Sequence, residues 1–196
     1  GTCDMSDSVS EWVGDNGFDY IISTPPFRCR CDSPYRYTDW DYLARSSEGA
    51  GKKAVGIYPQ SICFSARNYN NSPIKNIVEN DWLEYVISLP ERIFSNTSIA
   101  TIMIVINKHK EKAGYVKFVD ASNLFEKDGR INRLALDKIE VLLQNSISDK
   151  SIDVCIDTII TGSVVLREIR IRAHMGCLIL CIGSLHSLLR CSVEFT

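Results

Sequence analysis

Two consecutive prolines end the first apolar segment of this chain and restrict the backbone that follows it. The segment Phe18–Ser23 is apolar enough for a buried strand, and Thr24-Pro25-Pro26-Phe27 comes directly after it. Because proline fixes φ and has no backbone N–H group, this turn cannot continue the hydrogen-bond ladder of a sheet. The sequence therefore predicts a buried strand that ends in a rigid turn with free carbonyl acceptors.

Strand and helix patterns alternate over the first 120 residues. Apolar, β-branched segments predict further strands at residues 53–59, 83–89, 99–107 and 115–119. One or two helical turns are predicted at residues 39–45, and a helix capped by Ser72 is predicted from Pro73 through Trp82. Strands that are apolar on both faces and separated by helices indicate an α/β fold with a largely parallel sheet.

The proline turn is predicted to lie where α/β folds bind their ligands. Open sheets of this class bind ligands at the carboxyl ends of their strands, and the turn follows such an end. There Phe27 offers a ring face for stacking on a planar group such as a nucleobase. Arg28 and Arg30 flank the turn and are predicted to contact nucleic-acid phosphates. The alternative is a plain strand end, with Phe27 in the core and the arginines in a solvated loop.

Composition limits the class of protein. The chain has 196 residues, 45% hydrophobic and 23% charged, as expected for a globular domain with a substantial core. The net charge of −2 provides no overall basic field, so phosphate contacts need local patches or another subunit. Eight cysteines without a signal peptide predict reduced thiols and a cytoplasmic location. No apolar run reaches the roughly 18 residues that span a bilayer, so no membrane association is expected.

The C-terminal third has a different character. Residues 175–189 form an apolar run that is predicted to be buried or covered by a partner. His174, Cys177, Cys181 and His186 have the side-chain types of a zinc site, but their spacing in an apolar stretch favours buried thiols, and no metal is expected. We therefore predict one domain over residues 1–145 and a C-terminal extension over residues 146–196.

Several segments downstream of the turn resemble one family. They are residues 83–101 (LEYVISLPERIFSNTSIAT), residues 106–108 (INK), residues 118–125 (FVDASNLF) and residues 129–134 (GRINRL). Together with the proline turn, in the same order, they are similar to the methylation subunit of type I restriction-modification systems. The resemblance covers roughly residues 16–145.

The resemblance implies transfer of a methyl group from S-adenosylmethionine to N6 of a flipped adenine in DNA. It implies the carboxyl-terminal half of a Rossmann-like methyltransferase sheet. In the family's motif, the base amine donates hydrogen bonds to an Asn or Asp side chain and to the carbonyl of the first proline. Thr24 and Pro25 occupy these positions, Pro26 completes the turn, and Phe27 and Phe94 are the aromatic residues expected to stack on the base. DNA, a specificity subunit and a restriction subunit are the implied partners, and the chemistry needs no metal.

Two departures from the family pattern leave alternatives open. Thr24 stands where the family has Asn or Asp, and its hydroxyl is shorter and has no carboxylate or amide oxygen. The family's cofactor loop lies upstream of the turn, where this chain has 23 residues, and Gly49-Ala50-Gly51 is predicted to be a simple turn. A degenerate or truncated non-catalytic copy, with a structural or DNA-contacting role, is therefore the alternative.

Two further expectations follow from the resemblance. A protein-glutamine methyltransferase is a third hypothesis, because enzymes of that class also have a proline turn that binds a planar amide. The long match through Lys108 argues against this hypothesis. The strand Phe18–Ser23 would lie in the middle of a complete sheet, so one of its edges is expected to be unpaired here. An exposed apolar edge predicts self-association.

Overall fold

The computed structural model describes residues 17–32, 34–35, 37–64, 73–95, 97–144 and 151–155. Within them, the strands are β1 (Phe18–Ser23), β2 (Ala50–Pro59), β3 (Leu83–Ser88), β4 (Thr101–Asn107), β5 (Tyr115–Asp120), β6 (Phe125–Asp128), β7 (Ile131–Leu134) and β8 (Ser151–Cys155). The helices are α1 (Thr38–Gly49), α2 (Pro73–Glu79) and α3 (Leu136–Gln144), with a 3₁₀ helix at Gln60–Phe64. The predicted Ser72 cap, the apolar run at residues 175–189 and the zinc alternative at His174, Cys177, Cys181 and His186 lie outside the described residues.

The main sheet is mixed, so the prediction of a largely parallel sheet was wrong. Its order is β1-β2-β4-β3-β5-β8. The pairs β1–β2 and β3–β5 are parallel, whereas β2–β4, β3–β4 and β5–β8 are antiparallel. The apolar segments of β2, β3, β4 and β5 contain many buried residues, but an apolar segment carries no information about strand direction. The prediction that Phe18–Ser23 is buried was wrong, because none of the residues of β1 is buried. Because β4 returns between β2 and β3, the strands β1, β2, β3 and β5 all run the same way.

Helices cover both faces of this mixed α/β sheet. The larger core cluster joins Leu43 of α1 and Ile77 of α2 to sheet residues such as Phe118, all of them fully buried. A second cluster joins Ile139 of α3 to Val119 and other sheet residues. None of the helices in the described residues is long and apolar enough to cross a membrane.

Several boundaries differ from those predicted. Helix α1 is longer than the predicted 39–45, and Gly49 and Ala50 are the end of α1 and the start of β2 rather than a separate turn. Helix α2 ends at Glu79, before the predicted Trp82, and the chain then reverses through Asp81, which has a φ of 58°. The hairpin β6–β7, α3 and β8 were not predicted. Strand β8 lies beyond residue 145 but pairs with β5, and the division of the chain at that residue stays a prediction.

A buried lysine holds the edge of the sheet where β3 and β5 begin. Lys110 Nζ donates to the carbonyl oxygens of Leu83 (3.0 Å) and Tyr115 (2.9 Å) and forms an ion pair with Asp81. The side chain of Lys110 is almost fully buried, so its charge needs partners, and it has two carbonyl acceptors and the carboxylate of Asp81. They connect the loop after β4 to the first residues of β3 and β5.

The Asn107-Lys108 pair lies at this same edge, opposite the proline turn. Asn107 Nδ2 donates to Glu84 Oε1 (3.0 Å), and Asn107 Oδ1 accepts from the backbone N–H of His109 (2.9 Å). The Lys108 amine lies 4.6 Å from the centre of the Trp82 ring. This part of the segment at residues 106–108, one of those that carry the resemblance, therefore has a structural role at the end of β4.

Strand β1 is an edge strand of the described sheet, and one of its faces is apolar and exposed. Its described partner is β2 on one side, and none of the described residues pairs with its other edge. Phe18, Tyr20 and Ile22 alternate along the strand and all point to solvent, with Ile22 85% exposed. An open edge beside an apolar face favours association with another chain.

We expect the 196-residue chain to self-associate through β1. Ile22→Lys places a charge on the apolar face and should lower the association constant at least tenfold, as measured by sedimentation velocity over a range of concentrations. Val141→Lys is the matched control, because Val141 is an exposed apolar residue on α3, 55% accessible and remote from β1. A monomer at every concentration, or an equal effect of both substitutions, would contradict the prediction.

Candidate functional site

The proline turn lies at the edge of the sheet where β1, β2, β3 and β5 have their carboxyl ends. Pro25 is buried, whereas Thr24 and Pro26 are exposed. The Pro26 carbonyl accepts a 2.6 Å hydrogen bond from the Thr38 hydroxyl at the start of α1. None of the described residues donates to the Pro25 carbonyl or bonds to the Thr24 hydroxyl. The turn therefore uses one proline carbonyl to hold its position, and its other acceptors have no partner within the part of the chain that the structure describes.

The loop after the turn is docked on the first turn of α1. Arg28 adopts a left-handed conformation, with φ of 54°, and its backbone N–H points at both carboxylate oxygens of Asp39, each at 3.1 Å. The backbone N–H of Thr38 donates to the Cys29 carbonyl (2.9 Å). The residue at the N-cap position of α1, Tyr37, provides no side-chain cap. The loop thus satisfies helix-end groups that a cap would otherwise satisfy.

Asp39 is the electrostatic centre of this docking. Its side chain is buried at the N-terminal end of α1, and burial raises the pKa of its carboxyl above the ordinary value. The hydrogen bond from the Arg28 N–H and the positive charge of the Arg28 side chain oppose that rise. A carboxylate at a helix N-terminus also interacts favourably with the helix dipole. Asp39 therefore holds the position of the loop at a desolvation cost that its partners reduce.

Tyr58 contacts the last residue of β1, directly before the turn. Its hydroxyl lies 3.3 Å from the Ser23 hydroxyl, one residue before Thr24, and burial raises the pKa of Tyr58. Gly56 pairs with Ser23 across β1 and β2, and the Tyr58 ring covers it, since a Cβ on Gly56 would lie 2.4 Å from ring atoms. The sequence pattern did not predict this group, although a glycine inside a strand often marks a close approach of another group.

Phe27 and Phe94 lie in contact although 67 positions separate them. Their ring centres are 5.5 Å apart and their planes meet at 81°, an edge-to-face pair. Phe27 belongs to the turn after β1, and Phe94 to the loop that joins β3 to β4, so the mixed sheet brings the two together. Both rings are partly exposed. The two rings form an apolar corner next to Thr24 and Pro25.

Arg28 and Arg30 have exposed side chains on the loop that follows the turn. Arg30 forms an isolated backbone bridge with Tyr37, so the loop is closed at its base. Arg30, Cys31, Asp32 and Tyr37 line an open cavity of about 320 Å³. The contact of these arginines with phosphates stays a prediction. Among the residues that the structure describes, no group of three His, Cys, Asp or Glu side chains is arranged to hold a metal.

Comparison with known proteins finds matches over most of the chain. The family model described as N-6 DNA Methylase matches residues 4–171. The chain is 28% identical to the type I restriction enzyme MpnII methylase subunit of Mycoplasma pneumoniae, with 66% of this chain and 27% of that protein covered. It is 32% identical to the MjaVII methylase subunit of Methanocaldococcus jannaschii, with 63% and 20% covered. The chain thus spans about a quarter or less of these relatives.

Solved structures share the fold. A type I restriction-modification methyltransferase subunit from Streptococcus thermophilus superposes with a TM-score of 0.63 at 20% identity, covering 74% of this chain and 36% of that one. A modification subunit of a putative type I restriction enzyme from Vibrio vulnificus gives a TM-score of 0.55 at 17% identity, covering 76% and 36%. The α/β fold predicted from the resemblance is confirmed as one shared with methyltransferase subunits.

Substitutions at Asp39 should separate two effects on stability, that of its hydrogen bond with Arg28 and that of its buried charge. Asp39→Ala removes the acceptor and should lower the free energy of unfolding by about 1–3 kcal/mol, because the Arg28 N–H loses its partner. Asp39→Asn keeps one acceptor oxygen and should cost less. Because the pKa of Asp39 is raised on folding, its ionisation destabilises the native state as pH rises above the unfolded value near 3.8. Asp39→Asn should remove this contribution.

Urea denaturation at several pH values between 3 and 7 measures both effects. The stability of Asp39→Asn relative to the parent chain should improve as the pH rises through this range. Equal destabilisation by Asn and Ala, or a relative stability of the Asn variant that falls with pH, would show that Asp39 does not act in this way.

Proposed function

We propose, since this chain belongs to the N-6 DNA methylase family, that it forms the part of an adenine-specific DNA methyltransferase that receives the target base. The relatives named above are methylase subunits of type I restriction enzymes, and we assign this chain to a subunit of the same kind. Because the chain spans only part of those relatives, the activity, the substrate and the partners of the whole protein are part of the proposal.

The observation that carries the proposal is the difference between the two proline carbonyls. Thr38 holds the Pro26 carbonyl, while the Pro25 carbonyl and the Thr24 hydroxyl have no partner among the described residues. An exocyclic amine has two N–H donors, so adenine N6 can donate to both acceptors. Beside them, the Phe27–Phe94 corner offers one ring face for stacking and one ring edge. A base enters such a pocket after it has been flipped out of the duplex.

The chain's own residues would bind and orient the base. Docking of the loop on Asp39, and support from Tyr58, fix the acceptors before the base arrives. Preorganised acceptors direct the nitrogen lone pair without further rearrangement, and such positioning is a large part of catalysis in group transfer. Thr24, Pro25 and Phe27 would contact the substrate directly in this scheme, Pro26 would hold the turn in position through Thr38, and Phe94 would complete the stack.

The described residues do not fit a site for S-adenosylmethionine, the methyl donor that the family uses. Gly49-Ala50-Gly51 joins a helix to a strand, whereas a cofactor loop joins a strand to a helix. Within the described residues, β1 has one unpaired edge and an exposed apolar face, which further parts of a methyltransferase would complete. We propose that the methyl donor is held by protein outside the described residues.

DNA, a specificity subunit and a restriction subunit are the proposed partners, and the proposed location is the cytoplasm. The net charge of −2 supports a division of labour, since this chain lacks the overall basic field of an independent DNA-binding protein. Arg28 and Arg30 would make local phosphate contacts next to the flipped base, and partner subunits would provide the others and read the sequence.

Thr24 supports a second candidate function, a non-catalytic copy that keeps the fold and at most contacts DNA. A threonine hydroxyl reaches less far than the Asn or Asp of the family motif, and the loss of a single positioning contact is costly. The protein-glutamine methyltransferase alternative is not favoured, because the family match over residues 4–171 is to DNA methylases.

We expect the aromatic corner to bind adenine. Titration of the isotope-labelled chain with adenosine, followed by NMR, should shift signals of residues 24–27 and 94. Phe27→Ala and Phe94→Ala should each weaken binding about 5- to 100-fold, the usual effect of losing a stacking partner. Phe18→Ala is the matched control, because Phe18 is exposed at the far end of β1. Unchanged affinity in both variants, in a folded chain, would contradict the assignment.

The two departures from the family motif make separate predictions. Calorimetric titration of this chain with S-adenosylmethionine should show no micromolar binding, and micromolar binding would contradict the proposed division of the protein. Thr24→Asn supplies a longer acceptor and should tighten adenosine binding about tenfold. It should also raise methyl transfer once the remaining part of the enzyme is supplied. A Thr24→Asn variant that binds adenosine no better than the parent would favour the non-catalytic reading.

A further inference from the structure

The hairpin β6–β7 contains a segment whose role the proposed site for adenine does not explain. Residues 129–134 are among those that carry the family resemblance, and the site as proposed uses none of them. The hairpin turns at Gly129, which has a φ of 61°, and the backbone N–H of Ala135 closes its base by donating to the Leu124 carbonyl (3.1 Å). Leu134 packs against the second core cluster. The hairpin is therefore fixed to the sheet and can hold another part of the protein in place.

Asn132 of this hairpin binds two consecutive carbonyls of the loop between β3 and β4. Its side-chain Nδ2 donates to the Glu91 carbonyl, and its backbone N–H donates to the Arg92 carbonyl, both at 2.8 Å. Both distances lie in the range of well-formed N–H···O hydrogen bonds. Neither acceptor belongs to the hairpin. One residue therefore fixes two successive peptide groups of another loop, which restricts the direction in which that loop continues.

The backbone that Asn132 holds has an uncommon conformation. Arg92 has a φ of 57°, in the left-handed region, which is unfavourable for a residue with a Cβ atom. Such a conformation persists where neighbouring contacts favour it over the alternatives. The bonds from Asn132 reach the carbonyl of Arg92 and that of the residue before it. They therefore stabilise the change of chain direction at Arg92.

Phe94 follows this change of direction by two residues. Ile93 packs against the second core cluster, and the backbone of Phe94 forms an isolated bridge with Thr97. The Phe94 ring is half-buried, and its contact with Phe27 is edge-to-face. Because the core does not enclose this ring, its position depends on the backbone that carries it. The place of Phe94 in the aromatic corner therefore depends on the loop conformation that Asn132 stabilises.

We propose that Asn132 is a positioning residue that holds Phe94 in place for stacking on the target base. This inference rests on the proposed function, since Phe94 acts there as a stacking partner of adenine. Asn132 does not touch the base in this scheme, but it fixes the loop so that both rings are in place before the base arrives. Preorganisation of this kind improves binding, because the loop then loses little freedom when the ligand binds. It also gives residues 129–134 a role.

Asn132→Asp tests the proposal with little change of shape. It replaces the Nδ2 donor by a carboxylate oxygen, which repels the Glu91 carbonyl instead of binding it. In NMR spectra of the 196-residue chain without ligand, the nuclear Overhauser contacts between the Phe27 and Phe94 rings should lose most of their intensity. The same variant should bind adenosine about fivefold more weakly, a part of the effect of removing a stacking ring. Asn132→Ala removes the donor without adding a charge and should act in the same direction with a smaller effect.

Asn80→Asp is the matched control. Asn80 Nδ2 also donates to a backbone carbonyl at 2.8 Å, that of Asn76. Asn80 lies between α2 and β3, whereas the loop that contains Phe94 follows β3 at its other end. The substitution makes the same chemical change and should leave both the ring contacts and the adenosine affinity unchanged.

A double-mutant cycle shows whether Asn132 acts through Phe94. In a Phe94→Ala background, Asn132→Asp should have no further effect on adenosine affinity, because the ring that it positions is gone. An effect as large as in the parent chain would mean that Asn132 acts on the base by another route, and would overturn the proposal. An Asn132→Asp chain that is less stable in urea but keeps the ring contacts and the adenosine affinity would also overturn it, since Asn132 would then only stabilise the fold.

The ring contacts separate this inference from the proposed function, because they are measured without a ligand. If the parent chain binds no adenosine at millimolar concentration but Asn132→Asp weakens the ring contacts, the proposed function fails and the positioning of Phe94 by Asn132 stands. If the parent binds adenosine at the corner and the Asn132 variants match it in affinity and ring contacts, the inference is wrong and the proposed function stands. If Asn132→Asp does not fold, Asn132→Ala decides by the same two measurements.

Discussion

The direction of β4 is the constraint on which the arrangement of this molecule depends. β4 lies between β2 and β3 and pairs antiparallel with both, so that its neighbours run parallel to each other without touching. Its residues Ile102, Ile104 and Ile106 are all buried, which leaves it no stable position at an edge. As a result, the carboxyl ends of β1, β2, β3 and β5 meet along one edge, and the loops after β1 and β3 come into contact there.

The amino ends and the carboxyl ends of the parallel strands differ in how their polar groups are hydrogen-bonded. Where β3 and β5 begin, Lys110 and Asn107 form hydrogen bonds with backbone and side-chain groups. At the carboxyl ends of the strands, the Thr24 hydroxyl and the Pro25 carbonyl have no partner among the described residues. This asymmetry is the physical basis for placing binding at the carboxyl ends.

The proline turn is positioned by a buried electrostatic contact that has a cost. Asp39 loses hydration at the N-terminus of α1, and its pKa rises as a result, but it fixes the Arg28 backbone in a left-handed conformation that is otherwise unfavourable. With the Thr38 bond to Pro26, this contact leaves the turn little freedom. A rigid turn supports the discrimination of a small planar amine, since a flexible one would lose the benefit in entropy when the ligand binds.

The sequence by itself determined the positions of β1 to β5, the rigidity of the turn and the family. Proline geometry and long β-branched segments are local properties, so they can be read without knowledge of the fold. The tertiary structure alone decided which way β4 runs, that Tyr58 lies over Gly56, and that Asn132 bonds to the loop after β3. These features depend on residues far apart in the chain, and apolar patterns record burial but not direction or pairing. The pair Phe27 and Phe94 depended on both the sequence and the tertiary structure. The resemblance predicted that both rings stack on one base, and the mixed sheet places their ring centres 5.5 Å apart.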